Sequence, residues 1–223
     1  MSAAGRVPGG ARDEVLGRIR RALGDAPAPV VIPRGYRHEG DLPRAEILDL
    51  FVDRLTDYKA SVRRCAPADL VDTLVSALAD RSALVAPPGP VGAAPGSVAV
   101  VVPTGLPWEL PGAVPDHGLT AAELDRLDGV VTACAVGVAE TGTIVLDASP
   151  DQGRRAISLI PDYHLCVVRA AQVVQTVPEA VGRLDPSRPL TWISGPSATS
   201  DIELERVEGV HGPRTLEVVL VED

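Results

Sequence analysis

Lysine is almost absent from this chain: Lys59 is the only one among 21 basic residues, the rest being arginine. A Walker A phosphate loop needs a glycine followed by lysine, and Lys59 follows Tyr58, so that class of nucleotide site is excluded. Cysteine is scarce as well. Cys65, Cys134 and Cys166 are far apart with no Cys-x-x-Cys pair, so they cannot by themselves ligate a four-cysteine iron–sulfur cluster or a structural zinc. Their odd, low count suits a reducing compartment better than a disulfide scaffold, and they read as small buried apolar residues. Net positive charge is missing: at −9 the chain lacks the basic surface that general nucleic-acid binding requires. No apolar run approaches a bilayer's thickness, and residues 1–12 carry no signal-peptide stretch, so the expected location is the cytoplasm. Also absent are Gly-x-Gly-x-x-Gly (Gly89, Gly92 and Gly96 are wrongly spaced), Gly-x-Ser-x-Gly and His-Glu-x-x-His.

What is present is a folding pattern. With 223 residues, 45% of them hydrophobic, the chain is long enough for one domain with a large core. Residues 11–23 read as an amphipathic helix on Val15, Leu16, Ile19, Ala22 and Leu23, stopped at Gly24. A Pro-rich spacer over 26–33 follows, so residues 1–33 form an N-terminal arm and 34–223 the main domain. Helices are expected over 43–58, with Ile47, Phe51, Leu55 and Tyr58 on one face, and over 67–80, with Leu70, Val71, Leu74, Val75 and Leu78 inward. Short apolar runs at 83–86, 98–102, 143–147, 165–168, 190–194 and 216–221 suit strands buried on both faces. Helical stretches at 121–127, 178–184 and 200–207 alternate with some of them. The expected fold is α/β: a mostly parallel sheet flanked by helices. The Pro-rich stretch 87–115 reads as an irregular surface loop or a lid.

Polar segments interrupt the apolar strands in the second half. Ala139-Glu140-Thr141-Gly142-Thr143 sits between two apolar runs. A carboxylate there serves as nucleophile, base or ligand anchor, or the segment is a polar hairpin turn whose carboxylate bonds nearby amides. Ser194-Gly195-Pro196-Ser197-Ala198-Thr199 leaves a strand and leads to Ser200 and Glu203, spaced as a helix-capping box, so Ser197 and Thr199 are left over as binders of hydroxyl or phosphate groups. His211-Gly212-Pro213-Arg214 offers an acid/base and an anion clamp, or a Gly-Pro turn with polar flanks. Arg154 and Arg155 form an anion site or a solvated helix end. Asp162 and His164 form an oriented imidazole or a satisfied structural histidine. His38 and His117 have no metal-ligand spacing, and no metal site is expected.

Four ordered segments, 139–146, 159–168, 194–203 and 207–214, together resemble the LutC/YkgG family of lactate-utilization (LUD domain) proteins. The resemblance implies a fold akin to the ribose-5-phosphate isomerase, glucosamine-6-phosphate deaminase and CoA-transferase group. It also implies a part in oxidising L-lactate to pyruvate beside iron–sulfur partner subunits from the same operon. This chain would then carry no cofactor itself and bind a small organic-acid or phosphorylated ligand. Fold analogy adds weight to Glu140 and His211 as catalytic groups, and to Thr141, Gly142, Thr143, Arg155, Ser194, Gly195, Ser197, Thr199 and Arg214 as ligand-binding groups. Two other roles fit the same residues: a self-sufficient isomerase or acyl-CoA-transferase-like enzyme using Glu140, and a regulatory or scaffold protein.

Overall fold

The computed structural model describes residues 10–24, 31–35, 37–84, 98–199, 207–208 and 212–222. The chain divides into two compact units, Met1–Tyr36 and Arg37–Asp223. The first holds helix α1 (Ala11–Leu23), which buries none of its residues; Val15, Ile19 and Leu23 are exposed.

The second unit is built on a six-stranded, wholly parallel sheet. Its strands are β1 (Ser61–Cys65), β2 (Val100–Val102), β3 (Val114–Pro115), β4 (Gly129–Thr132), β7 (Tyr163–Arg169) and β12 (Thr215–Val221), in the spatial order β1-β12-β7-β4-β2-β3. The period of two along β7 and β12 sorts the core. Leu165, Val167, Val219 and Val221 face Leu70, Leu74 and Ala77 of α3 (Leu70–Leu84), while Cys166, Val168, Leu216, Val218 and Leu220 face Leu48, Phe51 and Leu55 of α2 (Arg44–Asp57). Both faces are therefore covered, which is why these strands read as continuous Val/Leu runs.

A second, mixed sheet lies on the α2 side. It contains β5 (Val136–Val138), β6 (Thr143–Leu146), β8 (Val173–Val174) and β9 (Thr191–Ile193), ordered β8-β5-β6-β9, with β5 and β6 an antiparallel hairpin. Ile144 and Leu146 share the α2 cluster, whereas Val136, Val138 and Val145 pack with Ala180 of α5 (Val177–Arg183). The short α4 (Ala121–Leu124) packs Leu124 with Val101, Val130 and Ile157. Thr120 and Thr176 cap α4 and α5 through reciprocal capping boxes with Glu123 and Glu179.

Several expectations need correction. Ala83 and Leu84 continue α3 instead of starting a strand, and Val71 and Val75 are exposed because Leu70, Leu74 and Ala77, at three- and four-residue spacing, make the inward stripe. Tyr58 is exposed, with Leu48 buried in its stead. Of the helix expected over 200–207, residues 200–206 lie outside the described residues, and Val207 belongs to β11 (Val207–Glu208), paired antiparallel with β10 (Ala198–Thr199). β1, β3, β4, β8, β10 and β11 lie outside the expected strand runs, and 143–147 and 190–194 join the mixed sheet, not the parallel one. Among the described residues no helix is long and apolar enough to cross a membrane.

Asp116 follows β3 and receives two hydrogen bonds from Arg154, at 2.7 and 2.9 Å. The guanidinium, helped by the Leu119 and Gly118 amides, holds the Asp116 carboxyl below its ordinary range. Depression means that this stabilisation is present above the unfolded-state value and is lost as pH falls through the lower folded value. Stability is therefore expected to decline on acidification below about pH 4. Asp116→Asn should remove that part of the slope and cost about 1–2 kcal/mol at neutral pH, the lower end reflecting solvent exposure of Arg154. Urea unfolding at stepped pH measures both.

Candidate functional site

The two glycine turns of the polar segments converge on one place, the end of α2. Gly142 has φ 55°, and a Cβ there would lie 2.8 Å from the Arg54 carbonyl carbon; Gly195 has φ 82°, and its Cβ would lie 2.7 Å from Tyr58 Cβ. Only glycine tolerates both the backbone angle and the approach. With both turns docked there, their hydroxyls meet: Thr141 Oγ1 and Thr143 Oγ1 are 2.7 Å apart, and Thr143 Oγ1 and Ser194 Oγ are 2.8 Å apart.

Ser194 leads into a cleft of about 240 Å³. One wall is Thr191, Trp192 and the 194–197 segment; another is the 155–159 turn with Arg155 and Ser158. Gly212 and Pro213 close one end, tied by the Ser197 amide donating to the Pro213 carbonyl at 2.8 Å. His164 and Leu216 of the parallel sheet also line it. Arg155 donates to Thr191 Oγ1 at 3.1 Å, is exposed, and has no carboxylate partner among the described residues. A guanidinium left unpaired beside hydroxyls is an anion receptor by its chemistry.

Arg155, Ser194, Gly195 and Ser197 are thus brought together. Glu140 and Thr141 line a separate recess with Arg54, Asp57 and Tyr58. Glu140 sits on the β5–β6 hairpin turn, ion-paired with Arg37, and accepts from Gln175 Nε2 at 3.2 Å. Gln175 in turn accepts from the Leu42 amide at 2.9 Å, so the Glu140 turn is fastened to residues 37–42. Thr143 is buried, and its hydroxyl is the link between the recess and the cleft. Arg214 is drawn off to Asp162, at 2.6 Å, in a neighbouring depression. His211 and the Thr199 side chain lie outside the described residues, and Glu140 and Ser197 line separate recesses.

Asp162 and His164 do not couple. Asp162 holds Arg214, and His164 Nε2 lies 2.8 Å from Thr132 Oγ1. His164 is nearly fully buried yet forms part of the cleft surface, a position that spacing alone does not separate from a core histidine. Behind it stand Cys166 and Cys134, both buried. Contact with Cys134, then with His164, pulls the Cys166 thiol below its ordinary range, while contact with Cys166 and burial push Cys134 up. Cys134 and Cys166 are core residues, as expected, while Cys65 is only partly buried. No group of three or more His, Cys, Asp or Glu among the described residues is arranged to hold a metal ion.

Comparison with known proteins places this architecture. A protein of Deinococcus radiodurans named Lactate utilization protein C is 46% identical over 218 residues, covering 95% of each chain. This chain belongs to the LutC/YkgG family. The LUD domain model matches residues 116–221, the stretch that supplies most of the cleft. The Escherichia coli family member YkgG is 36% identical over 103 residues, 43% of this chain and 44% of its own. The crystal structure of a DUF162 family protein from Deinococcus radiodurans matches with a TM-score of 0.64 and 44% identity, covering 81% of this chain and 99% of that one.

Proposed function

We propose that this LutC/YkgG protein serves lactate utilization as a non-redox subunit that binds a small organic acid in the Arg155–Ser194 cleft. The observation that carries the reading is the unpaired Arg155 guanidinium facing the Ser194–Ser197 wall across a cleft of about 240 Å³. One guanidinium matches one carboxylate in a bidentate pair, and hydroxyls and the His164 imidazole suit a 2-hydroxy or 2-keto group beside it. Relatives named for lactate utilization support the pathway. In this reading, electron transfer belongs to iron–sulfur clusters on partner subunits from the same operon. Glu140 acts as an anchor for residues 37–42.

The test has two arms. Calorimetric titration with L-lactate and pyruvate should give saturable binding that Arg155→Gln weakens about tenfold or more, the value of one charge-assisted hydrogen bond. Affinity purification from lactate-grown cells should recover iron–sulfur proteins, and deletion should impair growth on lactate. Equal binding by wild type and variant, or unimpaired growth without iron–sulfur partners, overturns the proposal.

A further inference from the structure

The back wall of the Arg155–Ser194 cleft holds a buried group with one polar atom unmet. His164 is 1% exposed, and its Nε2 lies 2.8 Å from Thr132 Oγ1. Among the described residues its other ring nitrogen, Nδ1, has no hydrogen-bond partner. Nor is Nδ1 sealed in, because Arg81 Nε is the one fully enclosed side-chain nitrogen or oxygen among those residues that lacks a partner. Nδ1 therefore opens on the cleft that His164 lines. A buried polar atom in that position takes its partner from whatever fills the cleft.

Whether Nδ1 gives or takes a hydrogen follows from what stands behind the ring. A neutral imidazole carries one hydrogen, so the nitrogen facing Thr132 decides the role of the other. Behind Thr132 the bonds run one way. Its hydroxyl donates to Cys166 Sγ at 3.8 Å, and the Cys166 thiol donates to the Ala133 carbonyl at 3.8 Å. A carbonyl only accepts, which fixes the direction of the series at that end. The Cys134 thiol does not replace Thr132 as the donor to Cys166, since it donates to Gln172 Oε1 at 3.7 Å. With its hydrogen engaged on sulfur, Thr132 accepts from Nε2–H, and Nδ1 is left with a lone pair. The opposite arrangement turns the Thr132 hydrogen onto Nε2 and gives up the bond to Cys166, so it holds one internal hydrogen bond fewer.

We infer that the cleft takes a 2-hydroxy acid in preference to the corresponding 2-keto acid, its carboxylate on Arg155 and its hydroxyl donating to His164 Nδ1. The inference rests on the reading that this cleft binds a small organic acid. A keto oxygen carries only lone pairs and meets the lone pair of Nδ1, unless the ring takes its other tautomer and the Thr132–Cys166 bond is lost. Thr132 does not line the cleft and is a positioning residue: it sets the tautomer of His164.

Nitrogen-15 correlations of the four histidines in the full chain read that tautomer. His38→Gln, His117→Gln and His211→Gln assign three of them and leave His164 by elimination. Without ligand, His164 should show Nε2 protonated and Nδ1 bare. L-Lactate should move the Nδ1 signal more than pyruvate does at matched occupancy. By calorimetry, L-lactate should bind about tenfold or more tighter than pyruvate. Thr132→Val should bring that ratio to within about threefold, whereas Thr132→Ser, which keeps the hydroxyl, should preserve it. A protonated Nδ1, or pyruvate bound as tightly as L-lactate, overturns the inference and leaves the proposed function standing. A ratio unchanged in Thr132→Val overturns the part given to Thr132. Binding of neither acid overturns the proposed function, and this inference with it. The tautomer is read on the unaltered core, so it decides the matter even where Thr132→Val fails to fold.

Discussion

Phe51→Ala is expected to lower the unfolding free energy by about 3–5 kcal/mol, measured by urea denaturation. Phe51 is the chain's single phenylalanine and is fully buried. From α2 it packs in one cluster with Cys166, Val168 and Leu216 of the parallel sheet and with Ile144 and Leu146 of the mixed sheet. A ring held between two sheets and a helix leaves a cavity that cannot easily collapse, since closing it would require the sheets to approach each other. That places the substitution at the upper part of the range for large-to-small changes. Phe51→Leu should recover most of the loss. An alanine variant within 1 kcal/mol of wild type, roughly the scale of a well-tolerated core swap, would contradict this account of what joins the two layers.

Gly142→Ala is the second large effect, about 2–4 kcal/mol of destabilisation. The left-handed angle alone costs about 1–2 kcal/mol for a residue with a Cβ. The rest comes from the new methyl at 2.8 Å from the Arg54 carbonyl carbon and 3.0 Å from its oxygen, backbone atoms that cannot rotate away. Gly182 in α5 is the control: a Cβ there meets nothing within 4 Å, so Gly182→Ala should be neutral or stabilising by up to about 1 kcal/mol. Parallel thermal and urea melts of the two variants separate turn strain from a general dislike of added methyls.

How far the sequence announced these features depends on whether the deciding partner is local. The Val/Leu runs of β7 and β12 are legible because burial on both faces leaves no polar position to break them. β1 is not, because Ser-Val-Arg-Arg-Cys looks like an exposed turn; its arginines are satisfied by Glu217 and Asp80, and by Glu222 and Asp49. The hairpin reading of residues 139–143 follows from glycine and flanking apolar residues. That Glu140 is met by Arg37, 103 residues away, has no local trace. Likewise, Arg155 and Ser197 each looked equivocal as isolated residues, and only the packing of the mixed sheet beside the parallel one sets them around a common space.

The Thr141–Thr143–Ser194 series has a directional consequence. Thr143 owns a single hydroxyl hydrogen and three oxygens within reach: Thr141 Oγ1, Ser194 Oγ and, at 3.3 Å, the Thr141 carbonyl. When a carboxylate in the cleft claims the Ser194 hydrogen, Ser194 has none left to give, and Thr143 must turn its own toward Ser194. When the guest is itself a donor, Ser194 accepts from it and keeps its own hydrogen, which is then free to point at Thr143. An acceptor in the cleft thus fixes the direction of one buried rotor, and through Thr143 that direction reaches Thr141, beside Glu140.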